Sequence, residues 1–121
     1  LFTLRNVGGT TAIAALCATL CGDCSSAVLR HEVAFVLGQM EDESAAEALC
    51  ASLAHAKEHA MVRHEAAIAL GALGTERAET ALRAHLGDAD VLVAQSCEVA
   101  LETAAYWRAW EELEKRVAAQ G

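Results

Sequence analysis

Apolar and polar residues alternate along much of the chain with the 3.6-residue period of amphipathic helices, and one such segment recurs at a fixed interval. Residues 29–38 read LRHEVAFVLG, and residues 62–71 read VRHEAAIALG, at an offset of 33 residues. Residues 95–101, which read QSCEVAL, continue this register as a third copy. Repetition at such an interval indicates a solenoid, in which every repeat is one structural unit.

Each period predicts two helices, which we call A and B. Helix A carries the repeated motif and is expected over residues 27–40 and again over residues 60–73. Helix B follows it, over residues 44–55 and residues 75–85. A longer helical segment is expected toward the end of the chain, where it would cap the stack.

Capping residues predict where these helices begin and end. Ser44 and Glu47 have the S-x-x-E spacing of a capping box, which would start the first complete B helix. Gly74 and Gly87 stand where C-terminal caps are expected.

These features together predict an all-α fold, a HEAT-like α-solenoid of stacked helix pairs with about three and a half repeats. The chain opens part-way through a repeat, because Phe2 and Leu4 match Phe35 and Leu37 at the same offset. Tetratricopeptide and ankyrin repeats have similar periods, but their signature motifs are absent from the sequence. HEAT-like pairs are therefore the better match.

Composition supports the helical prediction and narrows the partners. Hydrophobic residues make up 55% of the chain, aromatic residues 4%, and proline is absent, which favours helices over a β-sandwich. With 17 acidic and 9 basic residues, the formal net charge of −8 argues against binding to nucleic acid or to an anionic membrane surface. It favours a basic protein partner. The longest apolar stretch, residues 11–20, is too short to span a bilayer.

Cysteine usage predicts a reducing compartment, the cytoplasm. The chain has five cysteines, Cys17, Cys21, Cys24, Cys50 and Cys97, and an odd number in apolar helical surroundings argues against a secreted disulfide framework. The first three are close enough in sequence to suggest a metal site, but a closed zinc site needs four ligands. The alternative, which we favour, is that they pack as small hydrophobic residues.

Both complete motifs carry a histidine on the side of helix A opposite to the main apolar stripe. His31 shares this side of the helix with Phe35 and Gly38. His64 and Gly71 occupy the same positions in the next repeat. Because a glycine in a helix interior costs about 1 kcal/mol relative to alanine, the two glycines indicate the close approach of a neighbouring helix or of a ligand.

The positions of the two histidines permit a shared metal ion. Neighbouring helices lie about 8–10 Å apart, so His31 and His64 would face one groove from successive repeats. A carboxylate from Glu32 or Glu65 would complete the two-histidine, one-carboxylate set of non-heme iron sites.

The alternative interpretation of these motifs is a solvated helix face, on which the preceding arginines pair with nearby acids. In the third copy Cys97 replaces the histidine, which predicts a repeat that keeps the fold but lies outside the site.

The motifs taken together resemble deoxyhypusine hydroxylase, and in particular its C-terminal half. The resemblance is carried, in this order, by residues 4–9 (LRNVGG), 29–40, 61–72 and 96–101 (SCEVAL). A pair of His-Glu motifs within these flanking residues is much more specific than a general HEAT pattern.

The resemblance implies a fold of two HEAT-like halves around a non-heme di-iron centre. Such an enzyme hydroxylates the deoxyhypusine side chain of a translation factor with molecular oxygen. By that pattern His31, His64 and Glu65 would be ligands of Fe(II), and Glu32 would be the catalytic acid that binds the substrate amine. The chain has Ala60 where the family often has a proline, which concerns only the turn before helix A.

The family site needs four His-Glu motifs, and this chain has two. The resemblance therefore implies that residues 1–121 form a single HEAT-like domain that is one half of a two-half enzyme. The lack of an initiating methionine leads to the same expectation. A complete iron centre would require the other half-domain or self-association of this chain.

Two functions without oxygenase chemistry remain as alternatives. One is a HEAT-repeat scaffold that binds a basic protein partner, and the other is a HEAT-like lyase for a chromophore. Iron binding would separate the hydroxylase from the scaffold.

Overall fold

The structure is a computed structural model that describes residues 9–22 and 25–121. Within these residues all regular structure is helical. The helices, numbered in chain order, are α1 (Gly9–Cys21), α2 (Ala27–Met40), α3 (Ala46–Ala54), α4 (Ala60–Leu73), α5 (Glu76–Ala84) and α6 (Val91–Gln120), and a short 3-10 helix spans Glu43–Ala45. The prediction of an all-α fold is confirmed.

Helices α2 and α4 are the two predicted A helices, with the predicted bounds. Side-chain acceptors fix their first turns, because the first amides of a helix have no partner within it. The hydroxyl of Ser26 accepts a hydrogen bond from the Leu29 amide at 3.1 Å, and Nδ1 of His59 accepts one from the Met61 amide at 3.1 Å. Gly74 ends α4 in the left-handed conformation, with φ at 62°, as its sequence position predicts.

The capping box predicted at Ser44 is wrong. Asp42 caps the 3-10 helix instead, since its Oδ1 accepts hydrogen bonds from the Ser44 amide at 2.9 Å and from the Ser44 hydroxyl at 2.6 Å. An ionised carboxylate is the stronger acceptor, so it takes the hydroxyl before α3 begins. The prediction for Gly87 is also wrong, because α5 ends at Ala84 and His85 is its C-terminal cap.

The helices stack as a row of pairs in which α4 is central. Helix α4 contacts α2 in the preceding repeat, α6 in the following one, and both flanking B helices, α3 and α5. The largest fully buried side chains come from all six helices and are Leu16, Val33, Leu37, Leu49, Leu53, Val62, Leu70, Leu82, Val93 and Cys97. This arrangement is the predicted HEAT-like solenoid.

The two repeated glycines allow the A helices to approach each other closely. A Cβ atom placed on Gly38 would lie 3.1 Å from the Cβ of Ala69 on α4. A Cβ on Gly71 would lie 2.8 Å from both the Cβ and the carbonyl oxygen of Ala100 on α6. Of the two explanations for these glycines, a neighbouring helix and a ligand, the structure shows the first.

Helix α6 is the longest element, with 30 residues and a length of about 45 Å. Its first half packs against the stack, and Ala104 is the last buried residue. Residues 105–120 are exposed, and they include Tyr106, Trp107 and Trp110. The predicted long terminal helix is therefore present, although its second half extends away from the core. In the described residues, we find no helix that combines the length and the apolar character needed to cross a bilayer.

Candidate metal-binding face

His31 and Glu65 meet across the junction of two repeats. Nε2 of His31, on α2, lies 3.5 Å from Oε2 of Glu65, on α4. The carboxylate is largely buried, with 11% of its side chain exposed, whereas the imidazole is 35% exposed. The close approach of α2 and α4 at Gly38 brings these two side chains within reach of each other. An imidazole beside a sheltered carboxylate is thus present at the position that the sequence predicts.

His64 points toward the other neighbour of α4. Its Nδ1 lies 2.5 Å from the hydroxyl oxygen of Ser96 on α6. The same hydroxyl donates a hydrogen bond to the carbonyl oxygen of Leu92, one turn earlier in α6, at 2.6 Å. Ser96 is itself buried. Consecutive residues of α4 therefore contact different helices, Glu65 reaching α2 and His64 reaching α6.

Glu32, the predicted catalytic and substrate-binding acid, is exposed on α2 next to His31. The structure thus places the four predicted site residues on two adjacent helices and pairs His31 with Glu65. Within residues 9–22 and 25–121 no group of three or more cysteine, histidine, aspartate or glutamate side chains lies close enough together to hold an ion. Imidazole and carboxylate are nevertheless donors that fit non-heme iron. The four predicted site residues offer them as the His31–Glu65 pair, His64 and the exposed Glu32.

An arginine precedes each histidine and anchors its repeat. Arg30 donates two hydrogen bonds to the Glu58 carboxylate, at 2.7 and 2.9 Å. Arg63 donates to both carboxylate oxygens of Asp88, at 3.1 and 2.5 Å, and to the Leu53 carbonyl at 2.9 Å. The alternative interpretation expected these arginines to pair with nearby acids, and both do, with Arg63 buried at its pair. The Arg63 guanidinium holds the pKa of Asp88 well below its usual range.

In the third repeat the side chain that replaces the histidine belongs to the core. Cys97 is fully buried, and burial raises the pKa of its thiol to about 11. Cys17 and Cys21 lie on α1, and burial also raises the pKa of both thiols. The metal interpretation of these cysteines involved Cys24, which lies outside the described residues.

Ser96 is the contact that sequence reasoning missed. It stands 33 residues after Arg63, at the position where the first two repeats have their anchoring arginine. The sequence does show that a serine replaces the arginine at this position of the repeat, and this replacement could have indicated a different role for Ser96. Its importance becomes visible only when α6 is seen to pack beside His64.

Two small pockets flank the His31–Glu65 pair. One, of 240 Å³, is lined by Val28, His31 and Met61 among others. The second, of 290 Å³, has Phe35, Ile68 and Glu65 in its wall. Both are lined mainly by apolar side chains, so the pair lies between surfaces that suit an aliphatic chain.

The fold and the sequence assign the chain to a class of repeat protein. Residues 13–102 match the family of HEAT repeats. The chain belongs to this family.

Among its relatives the chain is similar to deoxyhypusine hydroxylases. It is 54% identical to the deoxyhypusine hydroxylase of Arabidopsis thaliana over 101 residues, which cover 84% of this chain and 32% of the relative. It is 49% identical to the deoxyhypusine hydroxylase of Mus musculus over 106 residues, covering 88% of this chain and 34% of the relative. The chain thus spans about a third of the length of these curated relatives.

A solved structure gives the same relationship. The structure of human deoxyhypusine hydroxylase in complex with glycerol matches with a TM-score of 0.82 and 48% sequence identity, covering 87% of this chain and 36% of that one. The predicted resemblance to deoxyhypusine hydroxylase is confirmed.

Proposed function

We propose that this chain is one half of a deoxyhypusine hydroxylase. In this role it takes part in the iron- and oxygen-dependent hydroxylation of the deoxyhypusine side chain on a translation factor. The observation that carries the proposal is the His31–Glu65 pair, which joins the His-Glu motifs of two successive repeats at 3.5 Å. The names of the relatives support the proposal.

His31, His64 and Glu65 are the residues that would hold iron. His31 and Glu65 supply an imidazole and a carboxylate from adjacent helices, and His64 supplies a second imidazole from α4. Bound ferrous iron would supply the activation of molecular oxygen, as open-coordinated non-heme iron sites do. The sheltered position of Glu65 suits this role, because partial burial strengthens the attraction between a carboxylate and a metal ion.

Glu32 would bind the substrate. Deoxyhypusine is a long aliphatic amine that is protonated at neutral pH, and Glu32 is an exposed carboxylate beside His31. The two apolar pockets that flank the His31–Glu65 pair provide surfaces for the aliphatic part of such a side chain. The net charge of −8 would steer a cationic substrate toward the chain.

The site is completed by a second half. The proposed ligands of this chain are His31, His64 and Glu65, and a di-iron centre needs more ligands than these three residues supply. The missing ligands would come from the other half-domain or from a second copy of this chain. The cytoplasm suits such an enzyme, since the cysteines of the described residues are free thiols.

Iron binding tests the assignment of ligands. Anaerobically prepared chain is titrated with ferrous iron, and His31→Ala and His64→Ala are expected to abolish binding. His55→Ala is the matched control, because His55 caps the far end of α3 and is exposed. A double alanine variant at positions 31 and 64 that binds iron as tightly as the parent would overturn the site. It would also favour the alternative of a HEAT-repeat scaffold without chemistry.

Reconstitution tests whether the site is shared. The isolated chain is expected not to hydroxylate its substrate, and addition of the matching other half is expected to restore turnover. Analytical ultracentrifugation under the assay conditions shows whether the active sample is monomeric or associated. Sustained turnover by a strictly monomeric chain would contradict the half-site proposal.

A further inference from the structure

The third repeat contributes to the candidate metal-binding face through Ser96, although it carries no histidine of its own. We propose that Ser96 is a positioning residue that fixes the ring tautomer of His64 and holds its Nδ1 side, so that Nε2 keeps a lone pair that could bind a metal ion. The part that concerns metal rests on the proposed function. The part that concerns the tautomer rests on the hydrogen bonds of this chain alone.

The argument starts from a count of hydrogens. Oγ of Ser96 makes two short contacts, one with Nδ1 of His64 at 2.5 Å and one with the Leu92 carbonyl oxygen at 2.6 Å. Each contact needs one hydrogen between its two heavy atoms, because two lone pairs at such a distance repel each other. A carbonyl oxygen has no hydrogen to donate. The single hydroxyl hydrogen of Ser96 is therefore donated to the carbonyl oxygen of Leu92.

The second hydrogen must then come from His64. Nδ1 of the ring donates to Ser96 Oγ, which leaves the hydroxyl as the acceptor in this contact. In a neutral imidazole only one nitrogen carries a hydrogen, so Nε2 is left with a free lone pair. A neutral nitrogen with a free lone pair is the form of histidine that binds a metal ion. Ser96 thus selects the metal-binding tautomer before any ion arrives.

The surroundings keep this arrangement in place. Ser96 is buried, which protects both hydrogen bonds from exchange with water. The adjacent Cys97 is packed in the core, and Gly71 holds α4 against α6 two turns beyond His64. In the two preceding repeats an arginine stands at the position of Ser96, and its guanidinium could only donate to a histidine nitrogen. The serine is therefore the one residue of this repeat position that can accept from His64.

Nuclear magnetic resonance reads the tautomer directly. The full chain, labelled with nitrogen-15 and freed of metal, is held at a pH at which the ring-nitrogen shifts of His64 show a neutral imidazole. Long-range proton–nitrogen spectra then show which nitrogen of His64 carries the hydrogen. We expect the Nδ1–H form in the parent and in Ser96→Thr, whose hydroxyl can still reach the carbonyl one turn back. In Ser96→Ala we expect the Nδ1–H form of His64 to be lost.

Ser52→Ala is the matched control for the removal of a buried hydroxyl. Ser52 is buried like Ser96, but its Oγ has no hydrogen-bond partner in the part of the chain that the structure describes. This variant is expected to leave the His64 signal unchanged. Ferrous iron affinity, measured in the same set, is expected to fall about 10–100-fold in Ser96→Ala and to be kept in Ser96→Thr and Ser52→Ala.

The outcomes separate this inference from the proposed function. An Nε2–H tautomer in the parent overturns the inference, as does a tautomer that is the same in Ser96→Ala as in the parent. If the parent binds iron and Ser96→Ala binds it equally well, the positioning role is overturned as well. If the parent shows the Nδ1–H form but binds no iron, the tautomer assignment stands and the proposed function fails.

Discussion

Replacement of Gly71 by alanine tests whether the solenoid is held together by the close approach of its A helices. In an exposed helix this change would stabilise the fold by about 1 kcal/mol, because alanine is the better helix former. Here the new Cβ would lie 2.8 Å from the carbonyl oxygen and 3.0 Å from the Cα of Ala100. These are backbone atoms, so no side-chain rotation relieves the contact. Helix α6 would have to move away from α4.

The magnitude follows from two opposed effects. Overpacking of a close contact costs about 1–3 kcal/mol, and the upper part of that range applies because the obstacle is backbone. After subtraction of the gain in helix propensity, Gly71→Ala is expected to lower the free energy of unfolding by about 1–2 kcal/mol. For a chain of this size that corresponds to a fall in Tm of about 4–8 °C.

Two other glycines provide matched controls. A Cβ on Gly38 would lie 3.1 Å from the Cβ and 3.2 Å from the Cα of Ala69, a less severe overlap than at Gly71, so Gly38→Ala is expected to cost less stability than Gly71→Ala. Gly87 has no heavy atom within 4 Å of the added Cβ, and Gly87→Ala is expected to change stability by less than about 0.5 kcal/mol. Thermal and urea unfolding followed by far-ultraviolet circular dichroism measure all three. A Gly71→Ala variant as stable as the parent would refute the reasoning.

Further predictions concern the anchoring arginine and the thiols. Arg63→Ala leaves the carboxylate of Asp88 with only His85 and the Asp90 amide as partners, and is expected to cost at least about 1 kcal/mol and at most about 3–5 kcal/mol in urea unfolding, so a loss below 1 kcal/mol would contradict the anchoring role. Because the folded-state pKa of Asp88 is lowered, its contribution to stability is complete above its unfolded value of about 3.9 and is lost as the pH falls below it. Asp88→Asn should therefore flatten the decline of the urea midpoint in acid, and an unchanged slope would count against the ion pair. Cys97 should be alkylated much more slowly than the exposed Cys21, as peptide mass spectrometry would show, because its thiol is buried with a pKa of about 11. Equal rates in the folded chain would disprove this.

Repetition made most of the fold predictable from the sequence. The bounds of α2 and α4 follow from the motif and its period, and the glycines at positions 38 and 71 indicated a close approach, although only the structure shows that it is made by a neighbouring helix. The cap of the 3-10 helix was not predicted, because Asp42 and Ser44 are both favoured N-cap residues and only Ser44 has a glutamate three residues later. Local spacing does not reveal which of two acceptors reaches a given amide.

The candidate site was predictable in its residues and less so in its contacts. Periodicity places His31 and His64 on equivalent positions, but it does not show which neighbouring side chain each histidine contacts. Glu65 reaches back to His31, whereas His64 reaches forward to Ser96. The forward contact depends on the direction in which α6 runs past α4, which is a property of packing between repeats.

The adjacency of His64 and Glu65 has a mechanical consequence. The two residues follow each other on one helix, so any rotation or sliding of α4 changes the gap to α2 and the gap to α6 at the same time. A shift that shortens one contact must alter the other, because a helix is stiff over a single turn. The His64–Ser96 contact would consequently respond to a displacement at His31, so the two repeat junctions would be coupled through α4.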